Sequence, residues 1–468
     1  MADVRIESDP LGTMPVSKSS LYGIQTERAR QNFPISGLQP MPAFVKGIVW
    51  VKKAAALTHK ETGRLEVPLA DAIVEAADEV LAGQHGDQFV VDPYQAGAGT
   101  SHNMNANEVL ANRANEMLGG SRGTYDPVHP NDHVNMAQST NDSIPTAIRL
   151  AVLSLLPDLL EAVRLLAESL LARGIELDPI VKSGRTHLQD ATPIRLGQEF
   201  TAYGHTIERN GDRIRSASDA LRDLNIGGSA VGTGLNVEPD YPDLMIRNLI
   251  EITGLQVSGG RDRVQLMQSM GDFAAFSAIV RTYAGDLNKI ADDIRLLASG
   301  PRTGLAEIRL PAVQPGSSMM PGKVNPSIVE MVNMVCYQVM GCDHTVAMAS
   351  QAGELELNVM MPVIAHNLLF EMEIITNATR VLAQRCVSGI EADEAQCSYW
   401  LERSPAIATA LAPRIGYAEA AKIAKEAVER GMTVRELVVE KGLLSGDELD
   451  RVLDLTSMTE PGVPGHSR

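Results

Sequence analysis

Between Val264 and Ala298 the apolar residues Phe273, Phe276, Val280, Tyr283, Leu287, Ile290, Ile294 and Leu297 recur at steps of 3, 4, 3, 4, 3, 4 and 3. A sustained alternation of this kind is the a/d seam of a long helix packed lengthwise against other helices. Arg281, Asp286, Lys289 and Asp293 fall on the other faces, and Gly285 costs too little to override so long a stripe. One helix is therefore expected from near Val264 to Ala298. A second is expected to begin at Pro326, a residue suited to a first helical turn. Ile328, Val332, Val335, Val339, Cys342 and Val346 repeat the spacing there, and Met331 and Met334 widen the stripe. Apolar on most sides, this helix is expected to be buried among others. Further helical stretches lie near 144–174, 197–225 and 363–385. Long helices with wide apolar faces need partners, and a bundle that continues across subunits supplies them.

The chain divides into three parts on this reading. Residues 1–140 are mixed, with Pro, Gly and Asn punctuating short helices and brief strand-like pieces such as Gln88-Phe-Val-Val. Residues 141–395 carry the long helices. Residues 396–468 hold shorter segments, with two or three small helices over 414–455 and turns at Gly416 and Gly442. No internal repeat is visible. The class is mostly α.

Composition narrows the function. The 468 residues are 44% hydrophobic and 21% charged, enough for a large core and unlike a disordered chain. A formal charge of −17 without a basic cluster argues against nucleic acid or an anionic membrane as partner. The first residues lack the features of a secretory signal, and charges such as Glu330 interrupt every candidate membrane span, so a cytoplasmic protein is expected. Cys336, Cys342, Cys386 and Cys397 form no CxxC pair and read as buried structural thiols.

Three polar, Gly- or Pro-marked stretches each lead into a helix: Gly97-Ala-Gly-Thr-Ser-His-Asn-Met-Asn-Ala-Asn-Glu108, Gln138-Ser-Thr-Asn-Asp-Ser-Ile-Pro145, and Pro315-Gly-Ser-Ser-Met-Met-Pro-Gly-Lys-Val-Asn-Pro326. The second is expected to enter a helix starting near Pro145. Helix N-termini carry unpaired N–H groups and partial positive charge, and so bind carboxylate or phosphate. Ordinary capping by Ser, Thr, Asn or Asp explains any one stretch alone. All three together, in so acidic a chain, point to a small anionic ligand, with Lys323 adding a local cation. Phosphate motifs fail: five residues separate Gly316 from Gly322 and Val324 follows Lys323, so no Walker A loop forms. No GxGxxG is complete, and no GxSxG elbow surrounds Ser229 or Ser317. A fourth stretch, Gly184-Arg-Thr-His-Leu-Gln-Asp-Ala-Thr-Pro193, carries His187, suited either to proton transfer or to a structural bond with a carboxylate. His129, before a Pro-Asn-Asp turn, is a weaker candidate of the same kind.

At these residues the chain resembles the aspartase/fumarase superfamily. The third stretch is similar to its signature GSSxMPxKxNP, and the similarity extends through GTSxNMNxNE at 99–108, QSTND at 138–142, GRTHLQDA at 184–191, Gly227–Asn236 and Glu356–Val359. The resemblance implies a three-domain, mostly helical homotetramer around a twenty-helix core, with active sites each fed by three subunits. Gly97-Ala-Gly-Thr-Ser101, Gln138-Ser-Thr140 and Ser327–Asn333 resemble the aspartase branch; Val128-His-Pro-Asn-Asp132 resembles a fumarase segment, and His102 departs from the aspartase pattern. It implies deamination of L-aspartate to fumarate and ammonia, with fumarate hydration as the alternative and a catalytically silent lyase-fold protein as a remoter one. Ser317 is then the general base. Thr100, Ser139, Thr140 and Ser318 hold the β-carboxylate. Lys323, Asn325 and Thr186 hold the α-carboxylate, and Asn141 and His187 contact the amino group. The small dicarboxylate and further copies of the chain are the expected partners, and neither an organic cofactor nor a metal is expected.

Overall fold

The computed structural model describes residues 3–465, and it is mostly helical, with strands only in two-stranded pairs among those residues. Two compact units are present. The first takes the chain up to Leu160 together with Asp212–Ala284 and Tyr337–Thr376; the second takes Glu161–Gly211, Gly285–Cys336 and the chain from Asn377 onward.

The 3-4 seam behaves as its spacing demands. From Phe273 to Leu297 each of its eight apolar residues is buried, none more than 6% exposed. Truncating one of its aromatic members to Ala would cost about 3–5 kcal/mol. The helix is shorter than expected, however. Arg263–Gln268 is a separate helix, and the long one is Gly271–Leu297. Asp262 opens the short helix by accepting from the amides of Val264 and Gln265. Ser269 then turns extended (φ −100°, ψ 119°) and its hydroxyl accepts from the Gly271 amide at 3.4 Å, which breaks the run before the seam begins.

The second long helix is Ser327–Gln351, with Pro326 just outside it, its carbonyl accepting from the Glu330 amide at 3.1 Å. Its burial differs from expectation. Val329, Val332, Cys336, Val339, Cys342 and Val346 are buried, but Ile328 and Val335 are only half-buried, and Met334, Tyr337 and Met348 are 69%, 56% and 53% exposed. Neighbours within the chain cover one stripe and leave the opposite apolar face open. The expected stretches elsewhere appear as Thr140–Leu177, Leu196–Ser218 and Met361–Arg385. The first begins well before Pro145, which lies inside it. Proline offers no N–H to the carbonyl four residues earlier, and the Asn225 side chain donates to that Asn141 carbonyl at 3.3 Å instead.

The brief strand expected at Gln88–Val91 is absent. Gly86–Gln88 is a 3₁₀ turn, and the Asn105 side chain occupies the strand-like backbone beyond it, accepting from Val90 N at 3.1 Å and donating to Gln88 O at 3.0 Å. Two antiparallel hairpins that periodicity does not announce are present instead: Val4–Asp9 with Gly12–Ser17, and Val181–Thr186 with Gln189–Arg195. The C-terminal segments form Ala412–Ile415, Tyr417–Arg430, Val434–Glu440 and Gly446–Val452 around Leu411, Ile423, Leu437 and Val452, with Gly416 and Gly442 at positive φ in the turns. All four thiols are buried and free. Among the described residues no helix is long and apolar enough to cross a membrane.

Candidate active site

In the first unit the predicted residues cluster at two helix N-termini. Helix Thr140–Leu177 starts where it does because the side chains of Ser139 and Asp142 take up backbone N–H groups of its first turn. The Ser139 hydroxyl accepts from Asn141 N at 3.2 Å, and the Asp142 carboxylate accepts from Ser139 N at 2.9 Å. The other Asp142 oxygen accepts from the amides of Gly227 and Ser229, at 3.1 and 3.0 Å, and Asn141 donates its side-chain N–H to Ala230 O at 2.7 Å. Segment 227–230 thus wraps the helix start and holds Ser139, Thr140 and Asn141 half-buried at its rim. Asp142 itself is fully buried, and burial raises its carboxyl to about 6 against the pull of those amides and of Lys52.

Helix Thr100–Met117 begins after two left-handed residues, Ala98 (φ 62°) and Gly99 (φ 88°), with Ala98 N donating to Val359 O at 2.7 Å. Thr100 is exposed on the first turn, and its hydroxyl donates to Gly97 O at 3.3 Å. One turn on, Asn103 joins the two helix starts: its amide N–H reaches the Thr140 hydroxyl at 3.4 Å.

Beneath both lies Lys52, a residue that sequence reasoning missed. It is completely buried on helix Pro42–Glu61 and donates to Asn103 Oδ1 at 2.7 Å and to Asn135 Oδ1 and Gln138 Oε1 at 2.9 Å each. Burial pulls its pKa down to about 7, with the Asp142 charge acting the other way. The available signal was positional: Phe44, Ile48, Lys52, Ala55 and His59 lie on one buried helical face, where a charge demands an explanation.

In the second unit Thr186 and His187 occur at the exposed tip of the hairpin, in which His187 and Leu188 have φ of 56° and 58°. Positive φ at both turn residues is the tight-hairpin geometry that Asn-Gly ordinarily takes, so two larger residues hold it at a cost, of the kind that collects at functional positions. The base of the hairpin is anchored by buried charge. Lys182 pairs with Glu199 at 2.9 Å and with fully buried Glu307 at 3.0 Å, and Arg185 pairs with Glu307 at 2.9 Å. A cavity of about 560 Å³ opens beside it, lined by His187, Arg185, Glu199 and Tyr203. A larger one, about 690 Å³, lies against Tyr417–Arg430 and contains none of the predicted residues.

Ser317, Ser318, Lys323 and Asn325 share one loop of the same unit. Its neck is closed by Gly316 N donating to Lys323 O at 2.8 Å and by Asn325 Nδ2 donating to Gly316 O at 2.6 Å. Ser317 is half-buried, and its oxygen accepts from the amides of Met319 and Met320 at 3.1 and 2.9 Å. Ser318 and Lys323 are exposed. Among the described residues no hydrogen bond or ion pair joins this loop to Thr186 or His187, and no group of three His, Cys, Asp or Glu is disposed to hold a metal ion.

Other singled-out residues have structural duties. His102 turns away from the helix start: it is buried on Phe44 with Nε2 at 3.2 Å from Val91 O. His129 Nδ1 accepts from the amides of Asn131 and Asp132, at 3.3 and 3.2 Å, and caps its own turn. Glu108 caps helix Ile24–Asn32, accepting from the amides of Gly23, Gln25 and Thr26.

Residues 12–341 match the family described as Lyase, and 407–460 match Fumarase C C-terminus. Aspartate ammonia-lyase of Bacillus subtilis (strain 168) is 47% identical over 463 residues, covering 99% of this chain and 98% of that protein. Class II fumarate hydratase of Halobacterium salinarum is 48% identical over 462 residues, covering 98% of each. Among solved structures, the fumarate lyase:delta crystallin from Brucella melitensis bound to cobalt is 47% identical with a TM-score of 0.94, over 98% of this chain and 100% of that one. Matched end to end in sequence and in fold, the chain belongs to the aspartase/fumarase superfamily of lyases.

Proposed function

We propose that the chain is an aspartate ammonia-lyase, catalysing the reversible deamination of L-aspartate to fumarate and ammonia. The observation that carries this reading is the orientation of Asn141. The Ala230 carbonyl can only accept, so the side-chain N–H faces it and the amide oxygen is left for a donor such as a substrate ammonium. The Gln138-Ser-Thr140 stretch, which resembles the aspartase branch, and the Bacillus relative at 47% identity support the same choice.

The difficulty of the reaction is removing a proton from Cβ, which the adjacent carboxylate makes only feebly acidic. The proton passes to Ser317 Oγ, and its electron pair enters the β-carboxylate to give a doubly charged aci-carboxylate. That species collapses to the Cα=Cβ double bond as the Cα–N bond breaks and ammonia leaves. For Ser317 to act as an alkoxide its negative charge needs donors, and the amides of Met319 and Met320 already point at Oγ. Thr100, Ser139, Thr140 and Ser318 hold the β-carboxylate with neutral donors whose bonds strengthen as charge develops. Lys323, Asn325 and Thr186 hold the α-carboxylate, and His187 assists departure of the amine.

The second reading is fumarate hydration, favoured by the Halobacterium relative at 48% identity. Incubating the pure protein with fumarate, with and without ammonia, separates the two. Aspartate formed only with ammonia supports the ammonia-lyase, and malate in its place overturns it.

A further inference from the structure

In its ammonium form a lysine has three N–H donors and no acceptor. The three oxygens around Lys52 must therefore face it, and the amide groups of Asn103, Asn135 and Gln138 are locked in one of their two orientations. For Asn103 this has a consequence at the site. With Oδ1 turned to the ammonium, its NH₂ points the other way, one hydrogen toward Asn135 Oδ1 at 3.1 Å and the other toward the Thr140 hydroxyl oxygen at 3.4 Å. A hydroxyl that accepts from Asn103 keeps its own proton for something else. The Thr140 side chain is half-buried on the first turn of its helix, and among the described residues no acceptor takes that proton.

We propose that Lys52, acting through the Asn103 amide, fixes the Thr140 hydroxyl as a hydrogen-bond donor toward the carboxylate of a bound C4 dicarboxylate. Lys52 and Asn103 are thus positioning residues for anion recognition, and the inference rests on the reading of Thr140 as a carboxylate ligand. Were the amide reversed, Thr140 would donate to it and present only lone pairs to an anion. The buried charge thereby decides the polarity of a contact it does not make. Asp142 is the ionisable group that faces Lys52, and its carboxylate is held by Ser139, Gly227 and Ser229, so it does not compete for the three ammonium hydrogens.

The test uses Asn103→Asp, which keeps the shape of the side chain and pairs with Lys52. Its carboxylate can only accept, so the Thr140 proton is drawn inward. Succinate binding is measured by calorimetry for the wild type, Asn103→Asp, Thr140→Val and the double variant, with thermal unfolding run alongside. Asn103→Asp is expected to weaken succinate binding at least tenfold with the fold intact, and to change it less than twofold in the Thr140→Val background. Equal losses in both backgrounds mean that the added charge acts on the anion directly, and overturn the relay; unchanged affinity overturns it too. If Asn103→Asp does not fold, the wild type and Thr140→Val are compared from pH 6 to 9. Affinity falling as Lys52 loses its proton only when Thr140 is present supports the relay, and identical profiles sink it. Succinate resembles both aspartate and malate, so a wild type that forms malate leaves this inference standing. A wild type that binds no succinate removes the reading and the relay together.

Discussion

The Asn325 side chain donates to the Gly316 carbonyl at 2.6 Å across the neck of the loop that carries Ser317. The contact leaves no room at Gly316 itself: a Cβ there would overlap the Lys323 carbonyl oxygen and lie 2.7 Å from Asn325 N. The loop is a lasso whose tip is exposed, Met319 by 82%, while its base is held by the two hydrogen bonds across the neck.

Gly316→Ala is expected to force the neck apart and displace Ser317. A misplacement of about 1 Å costs activity by roughly 10²-fold, while thermal unfolding should move little because the loop is exposed. Steady-state kinetics and differential scanning calorimetry on the same preparation check both halves. Full activity would show that the neck does not set the position of Ser317.

Ser317→Ala removes the proposed base and little else. As an ordinary loop serine it would cost within about 0.5 kcal/mol of stability and a small factor in rate. As the base, its loss should lower kcat by on the order of 10²–10⁴ while succinate still binds. Retained kcat overturns the assignment.

His102 gives a pH-dependent prediction. Burial holds its pKa at about 4, against 6.5 for the free side chain. Between these values the unfolded chain binds the extra proton, so its contribution is whole above pH 6.5 and is lost as pH falls toward 4. Denaturant unfolding at pH 7 and pH 5 should show the wild type losing about 2 kcal/mol more than His102→Gln. Equal losses would mean that the ring is charged in the folded state.

The open face of Ser327–Gln351, with Met334, Tyr337 and Met348, motivates a homotetramer. Light scattering should give about four times the 50.3 kDa chain mass. Tyr337→Glu should lower that mass without unfolding the chain. A stable, active monomer would refute both the shared bundle and the composite site.

Much of this was legible along the chain. The step pattern from Phe273 to Leu297 needs only neighbours three and four residues away, because helical periodicity is a local property. The polar stretches likewise announced that helices begin there, since capping is local too, and two begin at Thr100 and Ser327; the second was expected near Pro145, but Ser139 and Asp142 set its start at Thr140, five residues earlier. What the sequence could not place depends on partners far along it. Lys52 finds its amide oxygens 51, 83 and 86 residues away. Glu108, inside a stretch read as chemistry, instead caps a helix start 82–85 residues earlier. The hairpin that presents His187 is pinned by Glu307, more than a hundred residues beyond it. Local sequence therefore determined the helices and their polar ends. Only tertiary structure decided which buried charges orient them, because a charge taken out of water is stable only where the fold gathers its partners.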